Sequence, residues 1–322
     1  MDEFEKTGPL SKARRPAAAV ALVAVAVTLL AGCGSRPAGT ASAGGASSAS
    51  GTAGPCGVPQ PSPSAGAQVP TGSARGGVRI TAANAVCAEY EVTNPGSEPA
   101  DVTVTFSRLD ASGGALDSVT RTVTALAPGA VETGRVDLGA IGPVRPGARQ
   151  QVKILKVRSV PSAEAPRPGG PCPASGLRLS ADDGNAAMGL RVVGLSLRNC
   201  GTSAVTVNGY PALELLDLEH RPIDGVSILP GGAAIATGTG ADDPPRKIVL
   251  RPGEGARAAL VWRNTTEAGE SVNAPYVRVR ATPDAAPVMV TPELDLGTTG
   301  RLGVGAWTRD EQPPATGPSA AR

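Results

Sequence analysis

The stretch DVTVTFSRL, residues 101–109, alternates apolar with polar side chains at a period of two. Valines and a phenylalanine fall on one face, and threonines and a serine fall on the other, as in a β-strand with one buried face. Residues 118–126 and 151–160 alternate in the same way, and a slip of phase at 154–155 predicts a β-bulge. No stretch with helical periodicity competes with these strands, so we expect an all-β fold.

The composition divides the strands into two regions. The chain of 322 residues has room for about two domains at roughly 150 residues each. Prolines crowd residues 161–170, which we interpret as a linker between a β-sandwich domain at 76–160 and a second strand-rich domain at 171–309. Residues 33–75 and 310–322 are poor in large apolar side chains, and both segments are predicted to be disordered, the first as a tether.

Both regions contain the same two turns in the same order. A strand ends at Asn-x-Gly around Asn94, and another ends in the same way around Asn199. A Leu-x-Pro-Gly turn follows, at Pro128 in the first region and at Pro252 in the second. We interpret the pattern as two copies of one sandwich topology, and chance recurrence of common turn sequences is the alternative.

The second copy is about 19 residues longer between these turns, and the extra length falls in the Gly-rich segment 220–245. A long loop on a rigid sandwich is where binding residues usually lie. An insertion without a function is the alternative. His220, at the start of this segment, is the only histidine of the chain and is expected in a hairpin turn.

The first residues have the pattern of a secretory signal. Three basic residues within 12–15 precede an uncharged run at 17–31, which is too short and too rich in alanine for a membrane span. The run ends in Leu-Ala-Gly-Cys, which resembles the lipobox of bacterial lipoprotein signals. The resemblance implies that a signal peptide, residues 1–32, is removed and that the sulfur of Cys33 receives a diacylglycerol. The protein is then expected on the extracytoplasmic face of the cell membrane, held by its lipid.

An exported chain with four further cysteines is expected to form two disulfides. These residues are Cys56, Cys87, Cys172 and Cys200, and three pairings are open. Pairing between sequence neighbours, Cys56–Cys87 and Cys172–Cys200, gives each folded region one bond, whereas free buried thiols are the alternative. Strand alternation places Cys87 on the outer face, where a bond to Cys56 would tie the tether across the sheet.

Several stretches of the second region resemble a known family. RNCG at 198–201, NGYPALELLD at 208–217, VWRN at 261–264 and GTTGRLGVGAW at 297–307 are similar to the actinobacterial domain-of-unknown-function family 4232. The resemblance implies an immunoglobulin-like β-sandwich, and the repeated turns extend that expectation to two such domains in tandem. It implies no activity.

The sequence lacks the motifs of common catalytic and metal sites. It contains no Gly-x-Ser-x-Gly and no Cys-x-x-Cys, and one histidine is too few for a site of several imidazoles. A net charge of +2 and an aromatic content of 2% give no surface for nucleic acid. Aspartates at 182–183 and 242–243 suit turns better than a calcium loop, and Trp262 is expected in the core. We therefore expect no catalytic, cofactor-binding or metal-binding residues.

These observations favour a non-catalytic binding or scaffold module for a protein of the cell envelope or for peptidoglycan. A small-ligand-binding lipoprotein is one alternative, although the chain lacks the alternation of strands and helices that is typical of transport lipoproteins. A hydrolase with an unrecognised site is another.

Overall fold

A computed structural model describes residues 74–84, 86–110, 112–139 and 151–310. All regular secondary structure in these ranges is β-strand, so the predicted all-β class is confirmed. The described ranges belong to one compact unit. The predicted signal peptide, Cys33 and Cys56 lie outside them.

The first region forms two antiparallel sheets. Its strands are β1 (Ala74–Arg75), β2 (Val78–Ala83), β3 (Cys87–Thr93), β4 (Ala100–Leu109), β5 (Ala115–Leu126), β6 (Val131–Asp137) and β7 (Gln151–Pro161). The sheets have the orders β1-β2-β3-β6 and β5-β4-β7. The predicted tether, residues 33–75, ends too late, because its last two residues form β1 and pair with β2. The bulge predicted at 154–155 is confirmed, because the register between β4 and β7 shifts there and leaves Leu155 half exposed.

The core of the first region contains Ile80, Tyr90, Phe106 and many valines. The rings of Tyr90 and Phe106 pack with their centroids 4.8 Å apart. Gly134 lies opposite Tyr90 in the pairing of β3 with β6, and a Cβ at Gly134 would stand 2.4 Å from the tyrosine ring. The glycine is therefore what allows the ring to lie against β6.

Cys87 departs from its predicted exposure. It lies on the opposite face of β3 from Ala88 and Tyr90, as the alternation predicts, but its side chain is fully buried. Its sulfur is 3.3 Å from Oδ1 of Asn84, and the same oxygen accepts hydrogen bonds from the amides of Val86 and Cys87. The turn before β3 thus covers the outer side of the cysteine. The Cys56–Cys87 bond stays a prediction.

The second region contains one large sheet and several smaller ones. Its strands are β8 (Leu177–Ala181), β9 (Asn185–Ala187), β10 (Leu190–Asn199), β11 (Val205–Asn208), β12 (Ala212–Leu216), β13 (Ser227–Pro230), β14 (Lys247–Leu250), β15 (Gly255–Arg263), β16 (Asn273–Ala274), β17 (Tyr276–Arg280), β18 (Val288–Val290), β19 (Leu294–Asp295), β20 (Arg301–Val304) and β21 (Thr308–Arg309). The large sheet has the order β13-β20-β15-β10-β8, with β9 beside β10 and β21 beside β15. The smaller sheets are β12-β17-β18, β11-β14 and β16-β19.

The core of the second region includes Trp262 and Trp307, which are almost fully buried, and this confirms the core position expected for Trp262. Nε1 of Trp307 donates a hydrogen bond of 3.0 Å to the carbonyl of Ala281. A disulfide joins Cys172 to Cys200, with the Cα atoms 5.6 Å apart. It fastens the segment before β8 to the end of β10, and it is the bond expected between sequence neighbours.

The Asn-x-Gly turn of the first region is organised by one buried side chain. Nδ2 of Asn94 donates to the carbonyls of Glu98 and Leu126, both at 2.8 Å. Its Oδ1 accepts from the amide of Gly96 at 2.9 Å. The amide of Gly129, in the Pro-Gly turn, donates to the carbonyl of Asn94 at 2.9 Å. The asparagine thereby fastens the two turns to each other.

The turn of the second region repeats this arrangement. Nδ2 of Asn199 donates to the carbonyls of Ser203 and Leu250 at 2.8 and 2.9 Å, and Oδ1 accepts from Gly201 at 3.0 Å. The amide of Gly253 donates to the carbonyl of Asn199 at 2.7 Å. The repeated sequence pattern therefore corresponds to repeated structure, which disfavours chance recurrence.

The Gly-rich segment 220–245 is partly structural. β13 lies within it and pairs in parallel with β20, which extends the large sheet. The chain that follows packs back over β15, with Ala241 buried against Ala259 and Val261. Gly305 permits this approach, since a Cβ there would lie 3.0 Å from Cα of Ala241. The insertion therefore adds a strand and a cover to the sandwich.

Candidate binding site at the junction of the two sandwiches

The segment 161–170, predicted to be a linker, contacts both sandwiches. The amide of Ser162 donates to the carbonyl of Pro99 at 2.9 Å, and its hydroxyl donates to Asp101 at 2.5 Å. The carbonyl of Glu164 accepts from an amide of β18 at 2.8 Å. A small apolar cluster joins the segment to its neighbours, and it consists of Val160, Ala165, Leu216, Tyr276 and Met289. The segment is thus part of a packed junction.

Ion pairs at Arg158 and Arg278 cross this junction. Arg158, on β7, donates two hydrogen bonds to the carboxylate of Glu293, at 2.6 and 2.5 Å. Arg278, on β17, donates to Glu164 at 2.8 Å and to Glu214 at 2.7 Å. The bond to Glu164 is the main cause that raises the pKa of Arg278. The forked contact of Arg158 with Glu293 fixes direction as well as distance and so orients the two sandwiches, whereas Arg278 ties the second sandwich to Glu164 of the segment between them.

Tyr276 joins the sandwiches through its hydroxyl, which accepts a hydrogen bond from the amide of Ser159 at 3.1 Å. Burial raises the pKa of this tyrosine. The His220 ring packs edge-on against it, with centroids 4.5 Å apart, and the Arg158 guanidinium lies 5.7 Å from the ring centre. Nε2 of His220 is buried and has no hydrogen-bond partner within the described ranges.

The turn that contains His220 is built around Asp217, which confirms the turn expected for the histidine. Oδ1 of Asp217 accepts from the amides of Glu219 and Arg221 at 2.9 and 2.8 Å. The bond from the Arg221 amide is the main cause that lowers the pKa of Asp217. Leu218 lies between the bonded residues and is 57% exposed.

An open cleft of about 710 Å³, here called the junction groove, lies beside this turn. Strands β7, β9 and β10, the 217–219 turn and the chain at 292–295 form its walls. Its carboxylates belong to Asp183, Asp217, Glu219, Glu293 and Asp295. Its guanidinium groups belong to Arg158 and Arg191, and apolar surface comes from residues such as Leu218, Trp262 and Leu294.

Asp295 is held in place at the floor of the groove. Nε1 of Trp262 donates to one carboxylate oxygen at 2.8 Å, and Nδ2 of Asn264 donates to the other at 2.9 Å. The guanidinium of Arg191 approaches the second oxygen at 3.6 Å. The side chains on alternate positions of the VWRN stretch therefore orient a fixed hydrogen-bond acceptor.

The hairpin of β9 and β10 forms one wall, and Met188 lies at its tip. Ala187 pairs with Leu190, so Met188 and Gly189 are the two loop residues, both with positive φ, at 48° and 80°. This is the type I′ turn that suits the twist of a hairpin. The Met188 side chain is 100% exposed.

Five carboxylates and two guanidinium groups line the junction groove, and Arg221 and Lys156, which do not line it, pair with Asp217, Glu219 and Glu293. Arg158 is paired with Glu293, and Arg191 is near Asp295. Asp183 is exposed and makes no ion pair in the part of the chain that the structure describes. The groove therefore suits a ligand with cationic groups.

In the described residues no group of three or more His, Cys, Asp or Glu side chains is placed to hold a metal ion.

The residues that the sequence analysis singled out do not come together in one site. Cys172 and Cys200 do not line the junction groove, and His220 lies in a neighbouring cavity of about 530 Å³ that also contains Tyr276. Met188 and Asp295 were missed by sequence reasoning. The available signal for Met188 was a methionine before glycine where a hairpin turn prefers Asn-Gly. No local pattern identifies Asp295, because its partners are distant in the sequence.

Residues 172–308 match the family model of DUF4232, a domain of unknown function. The predicted resemblance is thereby confirmed for the second sandwich. No curated protein matches the chain. The crystal structure of red sea bream transglutaminase is 12% identical, covering 77% of this chain and 31% of that one, with a TM-score of 0.15. This chain therefore spans about a third of that protein, and the likeness supports no conclusion. Among the described residues, no helix is long and apolar enough to cross a membrane.

Proposed function

We propose that the protein is a lipid-anchored, non-catalytic binding module on the outer face of the cell membrane, and that the junction groove receives a cationic segment of an envelope protein. The observation that supports this most is Met188. It is a fully exposed methionine, held in left-handed backbone at the tip of the hairpin that forms one wall of the groove.

Met188 lowers the stability of the free protein without a compensating contact. Left-handed backbone costs a residue with a side chain about 1–2 kcal/mol. Burial of a methionine against a partner would contribute about 1.5–3 kcal/mol. Leu218 supplies a second exposed apolar side chain and lines the groove, whereas Met188 lies at the tip of the hairpin beside it. Apolar contacts around a polar cleft are typical of protein interfaces.

The charges of the groove support the choice of a cationic segment. Asp183 is an exposed carboxylate without an ion pair among the described residues, and Glu219 is exposed but pairs with Arg221, whereas the arginines of the groove already have acidic partners. Asp295 is oriented by two neutral donors and one guanidinium, so it can accept a further hydrogen bond without rearrangement. Lysine or arginine side chains of a partner would meet acceptors that are already in position.

The sequence before the first sandwich supports the location. The apolar run at 17–31 and the Leu-Ala-Gly-Cys that ends it favour export and lipid attachment at Cys33. The Gly- and Ser-rich stretch that follows is expected to hold the sandwiches away from the bilayer. The junction groove would then reach proteins that project from the envelope.

The test is site-specific crosslinking in intact cells. A photoreactive amino acid is placed at Met188 or Leu218, and, as a matched control, at Leu116 on β5, which is 51% exposed. We expect the same discrete adduct from positions 188 and 218 and none from position 116, and mass spectrometry then identifies the partner. Adducts from all three positions, or only peptidoglycan fragments, would contradict the proposal.

Two further experiments test the lipid anchor by itself. One is treatment with globomycin, which blocks lipoprotein signal peptidase, and the other is a Cys33→Ser variant. We expect the treated protein to retain residues 1–32 and the Cys33→Ser variant to lose the acyl mass. A mature N-terminus at any residue other than Cys33 would contradict lipid attachment.

A further inference from the structure

The sulfur atoms of the described residues differ sharply in their exposure to solvent. They belong to two methionines, Met188 and Met289, and to three cysteines. Met289 and Cys87 are fully buried, and the other two cysteines are joined in the disulfide. The side chain of Met188 is 100% exposed. Because an oxidant reaches sulfur from solvent, Met188 is the methionine of the described ranges that an oxidant attacks first.

Met289 provides a comparison within the same sandwich. It lies on β18, in the small apolar cluster with Leu216 and Tyr276, and its amide donates to the carbonyl of Glu164 at 2.8 Å. An oxidant reaches this sulfur only when the packed junction around it opens. The two methionines therefore have the same chemistry and opposite access to solvent.

The backbone holds Met188 in a fixed position beside the junction groove. Its φ of 48° and the pairing of the flanking residues define the hairpin turn. The carbonyl of Gly189 accepts a hydrogen bond of 3.0 Å from the amide of Asn264, and the side chain of Asn264 donates to Asp295. The tip of the hairpin is thus tied to the floor of the groove, so a change at the exposed sulfur occurs at the rim of the candidate site.

Oxidation changes the polarity of this side chain and leaves the fold intact. Hydrogen peroxide transfers one oxygen atom to the thioether. The O–O bond breaks, an S–O bond forms, two electrons pass from sulfur to the peroxide, and water leaves. The product, methionine sulfoxide, is polar and disrupts apolar interfaces. Because the Met188 side chain is fully exposed in the free protein, the fold loses no packing when the oxygen is added.

We propose that Met188 is a reversible oxidation site that controls binding at the junction groove. The proposal rests on the proposed function, in which this side chain is buried against a partner. A thioether packs well in an apolar contact, whereas burial of an S–O dipole requires a hydrogen-bond donor that an apolar contact does not provide. The oxidised protein therefore releases its partner. A dithiol reductase reverses the change, because the sulfoxide oxygen leaves as water and the dithiol becomes a disulfide.

The first experiment measures the selectivity of oxidation in the purified full-length protein. Hydrogen peroxide is added for increasing times, and peptide mapping by mass spectrometry gives the sulfoxide fraction at each methionine. We expect Met188 to be oxidised at least about tenfold faster than Met289, since oxidation of the buried sulfur requires local opening. The urea midpoint of unfolding is expected to stay unchanged while Met188 alone is oxidised. Methionine sulfoxide reductases A and B with dithiothreitol are expected to restore Met188.

The second experiment measures partner capture in intact cells with the photoreactive amino acid at position 218. Cells are treated with hydrogen peroxide before irradiation, and the chain carries either Met188 or Met188→Leu. We expect peroxide to reduce the adduct about tenfold with Met188 and to leave it within about twofold with Met188→Leu. Leucine keeps an apolar side chain without sulfur, so the variant reveals any loss that comes from oxidation of the partner.

Two further variants separate the position of the sulfoxide from its chemistry. Leu116→Met in the Met188→Leu background places an exposed thioether on the first sandwich, where Leu116 is 51% exposed. It is expected to be oxidised without loss of capture. Met188→Gln is polar and of similar length, and it is expected to reduce capture about tenfold without any oxidant. The Cys172–Cys200 disulfide, detected by peptide mapping without reduction, shows that each variant is folded.

The outcomes distinguish this inference from the proposed function. Equal oxidation of Met188 and Met289, equal loss of capture with Met188 and Met188→Leu, or full capture by Met188→Gln would each overturn the inference. Failure of both reductases to restore Met188 would overturn its reversibility. All of these results leave the proposed function standing, because the untreated protein still captures its partner. Absence of an adduct from untreated cells would overturn the proposed function and the control by oxidation with it.

Discussion

The two sandwiches share their pairing pattern but differ in one strand. β3 pairs with β6 in the first, and β10 pairs with β15 in the second, after the same asparagine turn. β4 of the first is continuous and pairs with both β5 and β7. Its counterpart in the second is divided into β11, which pairs with β14, and β12, which pairs with β17.

The division of this strand is caused by the sequence Gly-Tyr-Pro at 209–211. Gly209 has a φ of 76°, which is left-handed backbone, and Pro211 has no amide to donate to a neighbouring strand. The carbonyl of Gly209 is instead bonded to the amide of Trp307 at 2.9 Å. A break in one strand of a repeated fold therefore frees the following chain to take a different path.

The chain after this break contributes one wall of the junction groove. In the first sandwich the chain returns from β4 into β5 through a short turn. In the second it passes through the Asp217 turn and β13 before it reaches β14. The turn brings Leu218 and Glu219 to the groove. The first sandwich has a similar turn at Asp110, so the copies differ in the residues of this turn and in the path of the chain after it.

The largest expected effect tests the shared asparagine turn. Asn94→Ala and Asn199→Ala are each expected to lower the free energy of unfolding by about 3 kcal/mol, because two carbonyls and an amide lose their partners. Asn208→Ala, at an exposed position, is expected to change it by less than about 0.5 kcal/mol. Urea unfolding followed by circular dichroism measures the three. A loss of stability in only one of the two asparagine variants would show that the turns are not equivalent.

The next effect concerns a second turn that the copies share. Oδ1 of Asp110 accepts from the amides two and four residues later, as Oδ1 of Asp217 does. Gly113 occupies the left-handed position of the first turn, with φ 87°, and His220 occupies it in the second, with φ 60°. The residue that packs on Tyr276 therefore occupies the position that a glycine occupies in the first turn.

Exchange of these residues is expected to be asymmetric. Gly113→His is expected to destabilise the protein by about 1–2 kcal/mol, because a side chain is forced into left-handed backbone. His220→Gly is expected to change stability by less than about 1 kcal/mol, since relief of strain offsets the lost ring contact. Thermal unfolding of both variants provides the comparison. Equal losses would mean that the His220–Tyr276 contact outweighs the strain.

A smaller effect separates stability from binding at Met188. Met188→Asn is expected to stabilise the protein by up to about 1 kcal/mol, because asparagine is favoured in a type I′ turn. The same variant is expected to weaken capture of the partner that position 218 crosslinks. Leu116→Asn serves as the control on the first sandwich. Unchanged capture by the Met188→Asn variant would remove the methionine from the proposed interface.

Local patterns predicted the parts of the molecule that depend on neighbouring residues. Alternation predicted the all-β class and the bulge at 154–155. The asparagine turns were recognisable because each side chain bonds backbone two and four residues later, whereas the bonds to Leu126 and Leu250 were not predictable from the local pattern. The burial of Cys87 was missed, since alternation assigns a face but not what covers that face. The junction groove was missed because its wall at Asp295 depends on partners more than 30 residues away.

The smallest expected effect concerns pH and again compares the two aspartate turns. The pKa of Asp110 is lowered mainly by the hydrogen bond from the Ser112 hydroxyl, and that of Asp217 mainly by the amide of Arg221 with help from its guanidinium. A lowered pKa stabilises the fold above the ordinary aspartate pKa of about 4 and loses that contribution as pH falls through the folded value.

We therefore expect Asp110 and Asp217 to titrate below the ordinary range of aspartate in carbon-detected NMR. Stability is expected to fall in the same acidic window, and less steeply in Asp110→Asn and Asp217→Asn. Salt distinguishes the turns, because screening weakens the charge of Arg221 and leaves the neutral donors of Asp110 unaffected. The pKa of Asp217 should rise with ionic strength while that of Asp110 changes little. Equal responses would mean that the guanidinium contributes nothing and that the backbone bonds alone hold both turns.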